Sequence, residues 1–236
     1  LATSWSSNRL GGDLYEDVVS LAVIDASNAF AVNSLGDVFR FTGSSWTLTA
    51  RGATYGTQFL AVSASSSSNV FAVGTSGRII RFNGASWSSM TSGTSATLNA
   101  VWVESGSVAF AVGSNGTALR FNGSSWAATS TGSNQPLRSV WSVGGTAWAV
   151  GASGTILRFN GSTWTPDATP TSQQLNSVTG TSTSNVVAVG NFGTVLRFDG
   201  TNWTVIGSGT PVNFYSVAGN AANGGRMHLA SDVGLS

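Results

Sequence analysis

The sequence has no cysteine and no lysine, one histidine, and charged side chains at only 8% of its 236 positions, against about a quarter in an ordinary soluble domain. Absence of cysteine removes disulfides, thiolate nucleophiles and Cys-ligated zinc together. One histidine, His228, cannot build a His-rich metal site, and no Asp-x-Asp-x-Asp-Gly loop is present for calcium. All ten cations are arginines and the net charge is +1, which leaves no long-range field to draw phosphate backbones or anionic lipid. Nucleic acid is therefore not an expected partner. No apolar run reaches the ~18 residues of a membrane helix, so no membrane span is expected in this chain. No basic stretch followed by an apolar one opens the sequence, so no signal peptide is visible, and Leu1 in place of Met is expected of a processed or truncated precursor. The charge-poor composition, rich in Ser, Thr, Gly and Asn, points to an exported protein: extracellular, cell-surface or periplasmic.

What is present is a repeat, and internal periods decide the fold before anything else does. Gly36-Asp-Val-Phe-Arg-Phe-Thr-Gly-Ser-Ser-Trp46 recurs as Gly77–Trp87, Gly116–Trp126, Gly154–Trp164 and Gly193–Trp203, all five sharing Arg-Phe-x-Gly-x-x-Trp. Successive Trp residues lie 41, 39, 38 and 39 positions apart, and Trp5 stands 41 before Trp46. The 33 residues after Trp203 and the five up to Trp5 make 38, one further period. A solenoid has no reason to balance its ends in this way, whereas a ring does.

Within each unit the strand signals are short and evenly spaced. The third unit reads Leu98-Asn-Ala-Val-Trp-Val103, then Val108-Ala-Phe-Ala-Val112, then Thr117-Ala-Leu-Arg-Phe121, then a Ser/Thr-rich strand carrying Trp126. Gly-x-x-Gly and Asn-Gly turns separate them, as in an antiparallel meander. Asn83-Gly84, Asn122-Gly123, Asn160-Gly161 and Asp199-Gly200 are expected to supply positive φ angles, and Gly74, Gly113, Gly151 and Gly190 to end the second strands in the same way. No helical periodicity is found. The expected fold is all-β: a six-bladed β-propeller with four antiparallel strands per blade, one domain over 1–236. The ring is expected to close through a last blade shared by 1–8 and 212–236.

Neither the Trp-Asp ending nor the Gly-His start of a WD40 repeat occurs. Ala72-Val-Gly-Thr-Ser-Gly77 followed by Asn83-Gly-Ala-Ser-Trp87, with counterparts in four other units, resembles the BNR-like propeller repeats of exported bacterial proteins and photosystem assembly factors. The resemblance covers essentially the whole chain and implies a propeller; it leaves function open, because such propellers serve as enzymes, lectins and scaffolds alike. Two features depart from it. The Asp-box of sialidases is not reproduced, and the closing unit lacks Arg-Phe-x-Gly.

Arg40, Arg81, Arg120, Arg158 and Arg197 occupy one repeat position on the third strand, with no carboxylate repeating beside them. Their guanidinium groups must bond carbonyls, stack on aromatics or face water: either a structural clamp, or a ring of pockets for sugar hydroxyls or an anion. The repeated Trp46, Trp87, Trp126, Trp164 and Trp203 pose the same choice between blade anchor and sugar-stacking platform. Trp102 and Trp141 follow the repeated Val of the innermost strand in two adjacent units only, a position that faces the central channel mouth. These twelve residues are the candidate ligand-binding set. Trp148 reads as core, and His228 falls in the apolar slot of Phe71 and Phe110. A glycosidase needs two carboxylates facing each other across a cleft, and the one acidic cluster, Asp13, Glu16 and Asp17, reads as a connecting loop. No catalytic residue, metal ligand or cofactor is expected. The expected function is non-catalytic binding with glycan as first ligand, through weak multivalent contacts. The alternative is a structural or accessory subunit docking on a protein assembly, and an exo-glycosidase or lyase stands third.

Overall fold

An uninterrupted apolar stretch such as Val70-Phe-Ala-Val73 is stable only where both faces of its strand are covered. The computed structural model describes residues 16–219 and 227–231, and there the sheets cover one another around an axis. The first blade is β1 (Val18–Asp25), β2 (Asn28–Asn33), β3 (Val38–Phe41) and β4 (Trp46–Ala50), an antiparallel meander running outward. Blade 2 is β5 (Phe59–Ser66), β6 (Asn69–Gly74), β7 (Ile79–Phe82) and β8 (Trp87–Met90). Blade 3 is β9 (Leu98–Val103), β10 (Ala109–Gly113), β11 (Ala118–Phe121) and β12 (Trp126–Ala128). Blade 4 is β13 (Leu137–Val143), β14 (Thr146–Gly151), β15 (Ile156–Phe159) and β16 (Trp164–Pro166). Blade 5 is β17 (Leu175–Ser182), β18 (Asn185–Gly190), β19 (Val195–Phe198) and β20 (Trp203–Val205). Blade 6 contributes β21 (Phe214–Gly219) and β22 (Met227–Ser231).

The fold is thus the expected six-bladed propeller. Innermost strands of all six blades line one central channel of about 460 Å³. Two strands of blade 6 lie inside the expected 212–236 span; the segment 1–8 with its Trp5, and 232–236, fall outside the described residues.

The core sits between blades, not within them. Strand β6 sends Val70 and Ala72 against Phe30 and Val32 of blade 1, and Phe71 and Val73 against Leu119 and Phe121 of blade 3. The period-2 alternation of a strand is used twice, once for each neighbour. Polar bonds reinforce this at the channel wall: hydroxyls of Ser20, Ser139 and Ser177 accept the backbone N–H of Val62, Val178 and Val217, each one blade on, at 3.1–3.2 Å. Val62, Val101, Val140, Val178 and Val217 are buried at these junctions, while their counterpart Leu21 on β1 is exposed.

One expectation is corrected. The glycines after the second strands do not adopt positive φ: Gly113 is extended at φ −164°. A Cβ there would lie 2.0 Å from the carbonyl oxygen of Thr97, so the residue is small because the chain entering β9 passes against it. Positive φ falls instead on the third residue of the Gly-x-x-Gly corner and on the Asn-Gly and Asp-Gly glycines, such as Gly123 at 103°. Helical turns among the described residues are four short 3-10 turns, three of them these corners.

Gly113→Ala is expected to cost about 2–3 kcal/mol through overpacking against backbone, a fall in Tm of roughly 4–12 °C for a chain of this size. Gly106→Ala, in open space, should stay within about 0.5 kcal/mol. Equal melting curves for the two variants would remove the close-approach argument.

Candidate functional site

The repeated Trp side chains open each fourth strand and turn inward. Trp126, Trp164 and Trp203 are buried, and Trp46 and Trp87 half-buried. Trp126 meets Phe71 of the preceding blade edge-on at 5.3 Å and lies tilted on its own Phe121 at 5.4 Å. Trp87 does the same with Phe30 and Phe82, and Trp164 with Phe110 and Phe159. Each such pair contributes about 0.5–1.5 kcal/mol beyond area burial.

The indole nitrogens follow a second rule. Trp87 donates to Thr49 at 3.2 Å, Trp164 to Thr129 at 2.9 Å, and Trp203 to the Asp167 carboxylate at 3.1 Å. Each acceptor stands three residues after the Trp of the preceding blade. In blade 2 that position is Met90, and the Trp126 nitrogen is accordingly buried without a partner. The indoles of Trp87, Trp126, Trp164 and Trp203 are committed to blade junctions and leave no ring of free indole faces for a sugar, while Trp46 packs on Phe41 of its own blade.

The arginines form the clamp, though on a partner other than the Trp or the neighbouring turn. Arg40 lies 5.3 Å from the Phe82 ring centroid, Arg81 5.2 Å from Phe121, Arg120 5.9 Å from Phe159 and Arg158 5.4 Å from Phe198. In every case the ring is the Phe of the next blade's own Arg-Phe motif. Arg81 also bonds Asn69 Oδ1 through Nε and Nη2, Arg197 bonds Asn185, and Arg158 pairs with Asp167 at 3.1 Å. The Arg120 Nε has no partner because Val108 stands where blade 2 has Asn69. A ring of five equivalent anion or sugar pockets is not what these contacts build.

Trp102 lines the channel, half-buried, with its indole donating to Ser142 O at 3.1 Å. Trp141 is buried instead: its ring lies 5.7 Å from Trp148 and against Gly180, where a Cβ would come 2.7 Å from the indole. Glu104 accepts from Ser142 Oγ at 2.6 Å and Gly145 N at 3.2 Å, tying blade 3 to blade 4. Trp102 and Trp141 pack on each other at 6.4 Å and join a wedge across blades 3–5, with only Trp102 reaching the channel wall.

The remaining polar candidates stay apart. His228 pairs across β21 with Ala218 as Phe71 does with Ser63, the register expected of it, but it is exposed where Phe71 is buried. Glu16 accepts the Ser34 hydroxyl, and Asp13 lies outside the described residues. Hydrogen bonds from the Asn202 and Thr201 backbone hold the exposed Asp199 carboxyl below its usual range, a turn-capping role that Asn83, Asn122 and Asn160 fill elsewhere. Among the described residues no three His, Cys, Asp or Glu side chains converge, and no helix is long and apolar enough to cross a membrane.

Residues outside the repeated set give one end of the ring its character. In an antiparallel meander the turns between second and third strands, and the entries to the first strands, share one end of every blade. Each first strand carries a bulge there, and the bulged residues are Val19, Leu60, Asn99, Arg138, Asn176 and Tyr215. Asn99 and Asn176 each donate to a backbone carbonyl of the following blade; Val19, Arg138 and Tyr215 are exposed. Phe192 and Leu35 top two of the neighbouring corners. At this rim Phe192 is 69% exposed, Leu35 59%, Tyr215 56% and Val19 51%. Scanning for what repeats passes over these positions; the usable signal was Phe192 standing where the other full corners have Ser76, Asn115 and Ser153.

Comparison with known proteins follows the fold. The chain is similar to the solved structure of YCF48 bound to a D1 peptide, with TM-score 0.69 and 17% identity over 92% of this chain and 75% of that one. It is also similar to YCF48 from Cyanidioschyzon merolae, with TM-score 0.57 and 15% identity over 94% and 95%, and to the WD40 repeats of RRP9, with TM-score 0.74 and 11% identity over 88% and 71%. At these identities the likeness is one of fold. No protein-family model and no curated protein matches the sequence.

The indole rule is open to measurement. Thr129→Val should cost about 1–3 kcal/mol by stranding the Trp164 nitrogen. Met90→Thr, which supplies the missing acceptor for Trp126, should show a favourable coupling of about 1 kcal/mol that disappears in a Trp126→Phe background. A zero coupling in that cycle would remove the rule.

Proposed function

We propose that this propeller is a non-catalytic protein-binding platform and that it binds through the rim formed by its bulges and Gly-x-x-Gly corners. One observation carries the reading. The repeated aromatic and guanidinium groups are spent on blade junctions, while Leu35, Phe192, Tyr215 and Val19 stand exposed on one end. Exposed apolar groups collected on one surface mark interaction sites more often than chance does, and aromatic anchors carry most of the energy in protein interfaces. The fold likeness supports the same direction, since one similar structure is a complex with a peptide and another is a WD40 repeat propeller. The glycan reading depended on Trp and Arg side chains that the blade junctions occupy. Export remains part of the proposal, supported by the cysteine-free, charge-poor sequence.

The test is affinity purification of the tagged chain from cells that produce it, beside a glycan array. A protein partner is expected with the unaltered chain and not with Leu35→Ser/Phe192→Ser/Tyr215→Ser, while the array stays blank for both. A partner held equally by the triple variant, or a glycan bound through Trp87 and Arg81, would overturn the proposal.

A further inference from the structure

Resting on that reading, we infer that the rim sector over blades 4 to 6 recognises an acidic, apolar-rich segment of another protein chain, with Phe192 as anchor and Arg138 as the carboxylate receptor. Four Gly-x-x-Gly corners share a left-handed third residue, Ser76, Asn115, Ser153 and Phe192, at φ between 53° and 56°. Asn tolerates this region and a bulky side chain does not. In blade 5 the cost is borne by a phenylalanine that leaves most of its surface exposed. Strain held at an exposed position is a mark of function. A polar net fixes the corner: Phe192 N donates to Asn213 Oδ1 at 3.1 Å, and Asn191 Oδ1 accepts from Asn176 Nδ2 at 2.9 Å. Tyr215 stands at the next bulge.

Charge selects the partner. Arg138 is exposed at the blade 4 bulge, with no ion pair or hydrogen bond of its side chain among the described residues. The described carboxylates of blades 4 to 6 are two. Asp167 is buried against Arg158 and Trp203, and Asp199 caps the β19–β20 turn at the opposite end. Among its described residues the sector therefore presents a fork of guanidinium donors and two aromatic rings with no free carboxylate, which is complementary to a carboxylate flanked by apolar side chains.

The test pans a random twelve-residue peptide library on the full chain and measures the selected peptides on variants. Selected peptides should be enriched in Asp or Glu beside Phe, Leu or Trp. Phe192→Asn should weaken their binding at least tenfold and, by relieving the left-handed strain, raise Tm by about 2–4 °C. Arg138→Glu should weaken binding at least tenfold and flatten its salt dependence, while Arg197→Glu, away from the rim, leaves both unchanged. Peptides lost with Phe192→Asn but without acidic preference or Arg138 dependence would overturn this inference and leave the platform standing. Peptides indifferent to both rim variants would sink both readings, and so would a library that yields no binder above the blank.

Discussion

Each four-stranded sheet of this protein has two apolar faces and no layer of its own to cover either. A blade alone would expose Phe, Val and Ala on both sides, so blades become stable only by covering one another, and the arrangement that leaves no uncovered end is a ring. Nearly every regularity of the sequence answers to that constraint. The second strand carries a continuous apolar stretch, such as Val70-Phe-Ala-Val73, because alternate residues serve different neighbours. The Arg-Phe pair repeats because Arg reaches forward onto the Phe of the next blade. The terminal Trp repeats because its ring reaches back to the previous blade and its nitrogen needs an acceptor there.

Those contacts also explain how the chain dispenses with charge, disulfides and metal. Aromatic edges, guanidinium groups over rings and Ser or Thr hydroxyls on backbone N–H groups operate at every junction with small individual energies. Their number compensates for their size. Where one partner is substituted, the loss is local and visible: Met90 leaves the Trp126 nitrogen unpaired, and Val108 leaves the Arg120 Nε unpaired. Such gaps are tolerable in a structure whose stability is distributed over equivalent interfaces.

The architecture was legible in the sequence because spacing is a one-dimensional property. Trp-to-Trp distance, turn glycines and the apolar second strand gave blade number, strand number and strand limits to within a residue, as Leu98–Val103 shows. Direction was less legible. Whether Trp126 faces a ligand or Phe71 depends on the preceding blade, 55 residues back, and the repeat looks the same in both cases. The role of Gly113 was misread for a related reason: sequence marks a glycine but does not say whether φ or a passing carbonyl demands it. Gly180 shows the same limit, since its need follows from Trp141 on another blade.

A ring held together in this way restricts where recognition can be placed. In blades 2 to 4 the second strand, the Arg-Phe pair and the Trp all touch a neighbouring blade, so a change at any of them is felt at a junction. The first-to-second-strand hairpin tips present little beyond hydroxyls and backbone in most described blades, and the blade 3 tip is itself tied to its neighbours, Asn69 donating to Ser105 O and Gly145 N donating to Glu104. The third residue of the Gly-x-x-Gly corner and, outside the two blades where Asn99 and Asn176 bond the next blade, the first-strand bulge are the freer positions, and there the units diverge from one another: Val, Leu, Arg and Tyr at the bulges, Phe and Leu among the corners. Divergence at positions released from the scaffold, together with identity at positions bound to it, separates a binding surface from the frame that displays it. A left-handed phenylalanine kept in water is what such a division of labour leaves behind.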